Sequence, residues 1–253
     1  MFDVHAPHQI IHTWKDFLVH IAAITIGLLL AVGLEQTVEY VHHRHQRSQI
    51  EEQMRLVFSG NISSDALDLK RLADMRGALA ALRGDIEARL RVRNDGAKAP
   101  VSGNRITIDI LVMPSMAPYD SAKENGTVGL LPVERIRIYN RVYLQRQLLI
   151  TVLQSRQSGT AALAEFTERF TDFPDAADLG AAVVLPALDT LRPVDLEEYL
   201  RLVASLIKRT DTALSRIALF DAECQAVLGG ATDEATFLER ALRIRNLAVG
   251  RPP

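Results

Sequence analysis

Hydrophobic positions divide the chain into a short N-terminal segment and a longer body. The longest apolar run extends from Phe17 to Leu34, and 14 of its 18 residues are apolar. Eighteen helical residues span about 27 Å, close to the roughly 30 Å hydrocarbon core of a bilayer. Trp14 precedes the run and Tyr40 follows it, as amphipathic aromatic residues do at membrane interfaces. The pattern predicts a tail over residues 1–16 and an uncleaved transmembrane helix over residues 17–34.

Two other interpretations of this run stay open. One is a cleaved signal peptide, because Ala31-Val32-Gly33 has the small-x-small form that a signal peptidase accepts. Against it, only Lys15 supplies positive charge ahead of the run, and the helical pattern continues past the cleavage site. The other is a buried core helix, although a run of this length without charge is unusual in a soluble domain.

Helical periodicity continues through residues 35–94 and predicts a juxtamembrane or stalk helix, which residues 60–65 could kink. Its apolar stripe has heptad-like spacing, and charged residues such as Asp68 fill much of the remaining surface. The stripe consists of Leu69, Leu72, Leu79, Leu82, Ile86 and Leu90. Such a stripe is typical of a bundle face rather than of a binding site.

Residues 95–250 are expected to form a helical bundle, which begins in a loop at residues 93–114. Within the loop, Ile106 to Ile110 alternate in polarity like a short strand. No partner strand is evident in the sequence. We therefore expect an extended segment lying on the bundle rather than a sheet.

Start and stop signals divide this body into helices. The start signals are Ser115, Pro132, Asp195 (with Glu198 as its capping-box partner) and Thr232, and the stop signals are Asn125-Gly126, Gly159 and Gly229-Gly230. The helix after Pro132 is apolar on much of its circumference and is expected to be the most buried one. A separate short helix is expected over residues 160–171. Tyr119, Tyr139 and Tyr143 should place rings in the core, each hydroxyl seeking a partner. The fold class is thus all-α: an N-terminal transmembrane helix running into a long helix, followed by an antiparallel helical bundle.

One face of the transmembrane segment carries small residues. At about 100° per residue, His20, Ala23, Gly27 and Ala31 share one side of the helix. Such a stripe lets two helix backbones approach closely in lipid, so these four residues, called here the packing face, predict a homo-oligomer. Chance occurrence of small residues is the alternative. His20 is the one ionisable side chain in the run, and a structural hydrogen bond is the favoured role for it.

Histidine is confined to the first 45 residues. The seven positions are His5, His8, His12, His20, His42, His43 and His45. Three of them lie just beyond the apolar run, close to Glu39, and imidazole with carboxylate can hold a transition metal. His42, His43, His45 and Glu39 are therefore candidate metal ligands. A partly charged interfacial belt that meets lipid headgroups or responds to pH is favoured over a metal site, because the spacing is not that of a strong metal motif.

Composition and charge exclude several classes of protein. The net charge of −2 in 253 residues argues against a dedicated nucleic-acid partner. The lone cysteine, Cys224, excludes an intramolecular disulfide framework and suggests a small buried hydrophobe. Without histidine after residue 45, the body cannot assemble a Ser-His-Asp or Cys-His catalytic device. No nucleotide-binding or metalloprotease motif is present, so we expect no cofactor and no enzyme, carboxylate-only catalysis being left open.

Two stretches of sequence carry a resemblance. The first, Trp14 to Gln46, contains W-K-D-F-L-V-H, T-I-G-L-L-L-A-V-G-L-E-Q and E-Y-V-H-H-R-H-Q, and the second, Tyr119 to Tyr143, contains Y-D-S-A-K-E-N-G-T-V-G-L-L and Y-N-R-V-Y. Together they resemble uncharacterised single-pass bacterial membrane proteins with a short N-terminal tail, one anchor helix and a helical body. The resemblance implies this architecture and no activity. Many members have a more basic tail, which would place the body outside the cytoplasm, whereas this chain has only Lys15 there.

The functional expectation is a membrane-anchored interaction or scaffold module in the cytoplasmic (inner) membrane. Its expected partners are the lipid bilayer, further copies of the chain and a protein that the sequence does not identify. The first alternative is a ligand-sensing helical domain without an output module. The second is a metal- or pH-responsive membrane protein that uses the juxtamembrane histidines. Lys15 before the span and Arg44 and Arg47 after it nearly balance, so the flanking charges assign no side to the body.

Overall fold

Helices make up nearly all of the computed structural model, which describes residues 14–95, 105–107, 111–170 and 182–248. The helices are α1 (Trp14–Asp95), α2 (Ala117–Glu124), α3 (Val133–Glu168), α4 (Pro193–Leu228) and α5 (Glu234–Ala248), with a 3-10 turn at Thr127–Leu130 and strands β1 (Arg105–Thr107) and β2 (Ala182–Val184). The expected all-α class is confirmed. The chain divides into two compact units, residues 1–50 and 51–253.

In the second unit, α1 packs through a regular seam. Buried residues recur at alternating intervals of three and four along residues 54–86. They are Met54, Phe58, Asn61, Asp65, Asp68, Leu72, Met75, Leu79, Leu82 and Ile86. This heptad spacing keeps one stripe facing the neighbouring helices, as in coiled-coil packing. The predicted stripe is thus largely confirmed, but Asp68, expected at the surface, is only 1% exposed.

Two further helices carry seams of the same spacing. The buried seam of α4 consists of Leu196, Tyr199, Val203, Leu206, Thr210, Ala213, Ile217, Phe220, Cys224 and Val227. In α3 the same spacing runs from Tyr139 through Val142, Leu149, Leu153, Arg156, Thr160, Leu163 and Thr167. The body is therefore a three-helix bundle of α1, α3 and α4, with α5 packed against α4.

Named contacts set the directions of the three helices. Arg76 of α1 pairs with Asp211 of α4, with Nε and Oδ1 2.6 Å apart, while later α1 residues share a core with the first half of α4. These two helices are therefore antiparallel. On the other side, Phe58 lies against Tyr139, and Met75 accepts a hydrogen bond from Arg156 of α3. Because both positions advance together, α1 and α3 run in the same direction.

The largest hydrophobic cluster joins all three helices. Its buried members are Met75, Leu79, Leu82, Ile86, Leu163, Phe166, Leu185, Leu188, Leu191, Leu196, Tyr199, Val203 and Leu206. Phe166 and Tyr199 stack at its centre, with ring centroids 4.8 Å apart. A second aromatic group places Tyr119 of α2 against Tyr139 and Tyr143 of α3.

Four expectations about helix limits are wrong. First, α1 runs without interruption through residues 60–65 and ends at Asp95. Second, α3 continues through Gly159 to Glu168, because a Cβ at Gly159 would lie 2.9 Å from Arg209 Cδ, so the glycine serves a close approach of α4. Third, α4 starts at Pro193, and Asp195 pairs with Arg192 instead of capping.

Fourth, α5 is capped by Asp233 rather than Thr232, since Asp233 Oδ1 accepts the Thr236 amide hydrogen at 2.9 Å. The ends predicted at Gly126 and Gly230 are confirmed, and both glycines have positive φ. The expected rank of burial is also wrong, because α4 buries 14 of its 36 residues and α3 only 10 of 36.

The extended segment near residue 106 has a partner strand after all. β1 pairs antiparallel with β2, with Ile106 opposite Val183. The expectation of an isolated extended segment is therefore wrong for residues 105–107. The partner lies 77 positions further along the chain, where no local pattern announces it. Residues 108–110 of the predicted alternation lie outside the described residues.

Candidate functional site

The apolar segment at residues 17–34 is exposed along its whole length. An 18-residue window of this helix has a mean hydropathy of 2.5, and none of it is buried. Trp14 stacks on Phe17 at its start, and Thr25 donates its hydroxyl hydrogen to the Ile21 carbonyl at 2.8 Å. That bond satisfies the hydroxyl within the helix, as an apolar environment requires. Length and composition let this helix cross a membrane, a test that a signal sequence near the N-terminus also passes.

The packing face is open in this structure. His20, Ala23, Gly27 and Ala31 are all exposed. A Cβ built on Gly27 would meet no atom within 4 Å. The four residues therefore lie together as predicted from the helical repeat, and the surface has room for the backbone of a second helix.

The juxtamembrane histidines are brought only partly together. His43 Nε2 lies 3.9 Å from Glu39 Oε1, and the rings of His42 and His43 are 6.4 Å apart between centroids. His45 instead contacts Gln49, with the two side-chain nitrogens 2.9 Å apart. Within the described part of the chain, no group of three His, Cys, Asp or Glu residues could hold a metal ion. The candidate set His42, His43, His45 and Glu39 thus supplies one contacting pair rather than a metal centre.

A different polar site lies inside the bundle. Four acidic residues meet between α1 and α4, and they are called here the acid layer: Asp65, Asp68, Asp221 and Glu223. Asp65, Asp68 and Glu223 are 3%, 1% and 2% exposed. Asp65 and Asp68 occupy consecutive positions of the α1 seam, so the heptad repeat itself directs these carboxylates inward. Charged residues are rarely this buried unless they are paired.

Part of this polarity anchors the chain that leads into α2. The Asn61 side chain donates to the Ser115 carbonyl at 2.8 Å and accepts from the Ser115 amide at 3.1 Å. Asp68 Oδ2 accepts from the Val112 amide at 3.0 Å. These bonds satisfy backbone groups of an irregular segment that would otherwise lack partners. Asn61 and Asp68 therefore have a structural role.

The remaining acids are less well compensated. Glu223 Oε1 lies 3.6 Å from Arg141 Nε, and Asp221 accepts from Gln225 at 2.8 Å. Arg141 also lies 3.9 Å from Glu234 of α5, so its charge is shared. The buried Asp65 Oδ2 and Glu223 Oε2 have no hydrogen-bond partner among the described residues. Asp65 is thus the least compensated carboxylate of the layer.

Burial controls the protonation of these groups. It raises the pKa of Asp65 to about 7, with further contributions from the charges of Asp221 and Asp68. Burial likewise raises the pKa of Glu223 to about 7, although Arg141 opposes the shift. The pKa of Asp221 is also raised by burial, against a hydrogen bond from Gln225. The layer therefore holds protons at a pH where exposed carboxylates have lost theirs.

Cys224 lies next to the acid layer and is completely buried. Burial raises the pKa of its thiol well above the usual range, and Asp65, Asp221 and Glu223 add to the shift. A thiol in this state is a poor nucleophile, because the reactive species is the thiolate. The sequence-based interpretation of Cys224 as a small packed residue agrees with its position.

Sequence reasoning missed the acid layer, although a signal for it exists. Residues 61, 65 and 68 continue the spacing of the apolar stripe back toward Met54. Extending the heptad register upstream of Leu72 would have placed two aspartates inside the bundle. The segment was instead interpreted as a kink because Gly60, Asn61 and Ser63 are weak helix formers.

Comparison with protein-family models, with curated proteins and with solved structures finds no match for this chain. The resemblance of Trp14–Gln46 and Tyr119–Tyr143 to single-pass bacterial membrane proteins accordingly stays a prediction. What the fold defines is a class: a three-helix bundle whose first helix also carries an exposed apolar segment.

Proposed function

We propose that the chain is a single-pass protein of the cytoplasmic membrane whose helical bundle acts as an interaction or scaffold module. The observation that carries the proposal is the unburied 18-residue window of mean hydropathy 2.5 in α1. Exposing that much apolar surface to water is unfavourable by about 25 cal/mol per Å², so a lipid or protein environment is expected to cover it. The long seams of the body provide a rigid helical platform rather than an open catalytic cleft.

The packing face supports a homo-oligomer as part of this proposal. Helix association in lipid depends on van der Waals contact, which small residues permit by letting backbones approach. Gly27 lies at the middle of the face and is free of contacts within the chain. A second copy of the same helix presents a complementary surface by symmetry.

Gly27→Leu is expected to reduce the crosslinked dimer in membranes about tenfold, the equivalent of about 1.4 kcal/mol of association free energy. The leucine side chain would hold the two backbones apart. The measurement is amine-directed crosslinking through the exposed Lys15 at equal expression. Gly33→Leu is the matched control, since Gly33 is equally open but lies about 240° around the helix from Gly27. Undiminished dimer in Gly27→Leu, or an equal loss in Gly33→Leu, would contradict this packing face.

A ligand-sensing role is the second candidate, and the acid layer is the observation that favours it. An interaction module has no need of poorly compensated carboxylates between α1 and α4, and such groups lower stability. A sensing domain without an output module would use a polar site between helices to respond to its ligand.

A metal-responsive role for the histidines is the weaker alternative, because only Glu39 and His43 approach one another. We expect metal-free purified protein to take up no stoichiometric zinc, copper or iron at neutral pH. The measurement is elemental analysis after dialysis against each metal. Stoichiometric uptake that His43→Ala abolishes would overturn this expectation and would point to ligands shared between copies.

The side of the membrane on which the body lies has a direct test. A C-terminal reporter that is active on only one side assigns residues 51–253 to that side. Activity of a cytoplasmic reporter would make the body's partners intracellular, and activity of a periplasmic reporter would place them outside.

A further inference from the structure

We propose that Asp65, Asp221 and Glu223 form a proton-binding site between α1 and α4, which closes the bundle when it is protonated and loosens it when it is charged. The ligand is the proton itself. The proposal concerns residues of the second unit only and does not depend on the membrane anchor, so the two can fail separately.

The first support is the position of Asp65 in the seam. It is 3% exposed, it faces α4 from the middle of a heptad stripe, and its Oδ2 has no hydrogen-bond partner among the described residues. An ionised carboxylate in such a place lacks both water and a donor, which is strongly unfavourable. A protonated carboxyl is neutral, and its O–H can donate to a neighbouring carboxylate. The buried oxygen therefore fits a proton better than it fits a charge.

The second support comes from the opposite helix. Glu223 is 2% exposed, and its Oε2 also has no hydrogen-bond partner among the described residues. Two poorly compensated oxygens, one from each helix, thus lie in one buried layer. Like charges at close range cannot all ionise without cost, as in carboxylate pairs that share a proton.

Every packed element contributes to the charge balance of the layer. The groups are Asp68 and Arg71 of α1, Arg141 of α3, Asp221, Glu223 and Cys224 of α4, and Glu234 of α5 through Arg141. Arg71 lies 3.8 Å from Asp68, and Arg141 divides its charge between two glutamates. The two arginines are fewer than the carboxylates that they face.

The direction of the pH effect follows from the raised pKa values. For Asp65 and Glu223, a pKa of about 7 in the closed bundle exceeds the model values of 3.8 and 4.5. The closed state therefore binds more protons than the open state between about pH 4 and about pH 7. The stabilisation is complete below that interval and is lost as the pH rises through about 7.

Cys224 supplies the reporter for this opening. It is the only cysteine of the chain, it is fully buried, and it neighbours the layer. Its alkylation by N-ethylmaleimide is measured on the full chain in lipid nanodiscs at about pH 6 and about pH 8. Dividing the rate for denatured protein by the rate for folded protein at each pH gives a protection factor and removes the intrinsic reactivity of the thiol.

We expect the protection factor of the wild type to fall by at least about tenfold between the two pH values, which is the effect of one such carboxyl group. Asp65→Asn should remove about a factor of ten from that fall, and Glu223→Gln should also reduce it. Asp74→Asn, which changes an exposed aspartate of the same helix, should leave the fall unchanged.

Two results would overturn the proposal. One is a wild-type protection factor that is equal at the two pH values, a measurement that needs no variant. The other is a wild-type fall that both Asp65→Asn and Glu223→Gln retain in full, which would assign the pH response to other groups. If one variant does not fold, the other still decides.

Discussion

Tyr199→Phe is expected to leave the bundle equally stable or to stabilise it, whereas Tyr199→Ala is expected to destabilise it by about 3–5 kcal/mol. Tyr199 is fully buried and stacks on Phe166 in the core that α1, α3 and α4 share. Removing the ring would leave a cavity that three packed helices fill only partly. The ring thus carries the stabilising contribution of this side chain.

The Tyr199 hydroxyl makes the opposite contribution. Within the described residues it has no hydrogen-bond partner, and burial raises its pKa. Burying an unpaired hydroxyl costs about 1–3 kcal/mol. Phenylalanine keeps the ring and its stacking while removing that cost, so the sign of the change should differ from the usual destabilising mutation.

Tyr119 provides the matched control for this prediction. It is as deeply buried, at 1% exposed, but its hydroxyl donates to Asn140 Oδ1 at 2.9 Å. Tyr119→Phe should therefore destabilise the protein by about 0.5–1.5 kcal/mol. Denaturant unfolding followed by circular dichroism compares the variants at one pH. A loss of stability in Tyr199→Phe equal to that in Tyr119→Phe would show that the Tyr199 hydroxyl has a partner.

The same two tyrosines show how far local pattern carries a prediction. The sequence analysis expected a partner for each buried tyrosine hydroxyl, and Asn140 meets that expectation for Tyr119. Asn140 belongs to the helix after Pro132, so the contact joins two elements that the sequence had placed together. For Tyr199, the helical repeat predicted burial correctly, but a repeat contains no information about polar atoms on the facing helices.

Helix limits separate in the same way. Gly126 and Gly230 were predicted correctly, because a positive φ after a helix is a local property of glycine. Gly159 was misinterpreted because its cause is distant: the Arg209 side chain of α4 lies where a Cβ would be. The β1–β2 pair is a contact of the same distant kind.

The candidate sites differ for a related reason. The four residues of the packing face follow from one helical repeat, so their common orientation was predictable. The acid layer needs α1 and α4 in register, because Asp65 gains its unusual environment only when Asp221 lies opposite. Its seam positions could have been found from sequence, but its acidic partners could not.

The second large effect is expected in the apolar segment. The double variant Ile26→Arg/Leu29→Arg should move the protein from the carbonate-resistant membrane pellet to the soluble or aggregated fraction. Each arginine at the centre of a span costs about 2.5–3.5 kcal/mol of insertion free energy, so two cost about 5–7 kcal/mol. Both side chains are exposed, at 57% and 68%, so the change removes no packing contact within the chain.

Leu56→Arg/Leu67→Arg is the control, because it makes the same chemical change at two exposed leucines of the second unit, 64% and 48% exposed. This variant should stay in the pellet, since neither position lies in the apolar window. If Ile26→Arg/Leu29→Arg remained in the pellet after carbonate extraction, the segment would not be the anchor. A wild-type chain whose mature N-terminus follows Gly33 would instead identify the run as a cleaved signal sequence, so N-terminal sequencing of the membrane-bound protein accompanies the extraction. An intact N-terminus together with loss of the double variant from the pellet is the result that an uncleaved transmembrane helix requires.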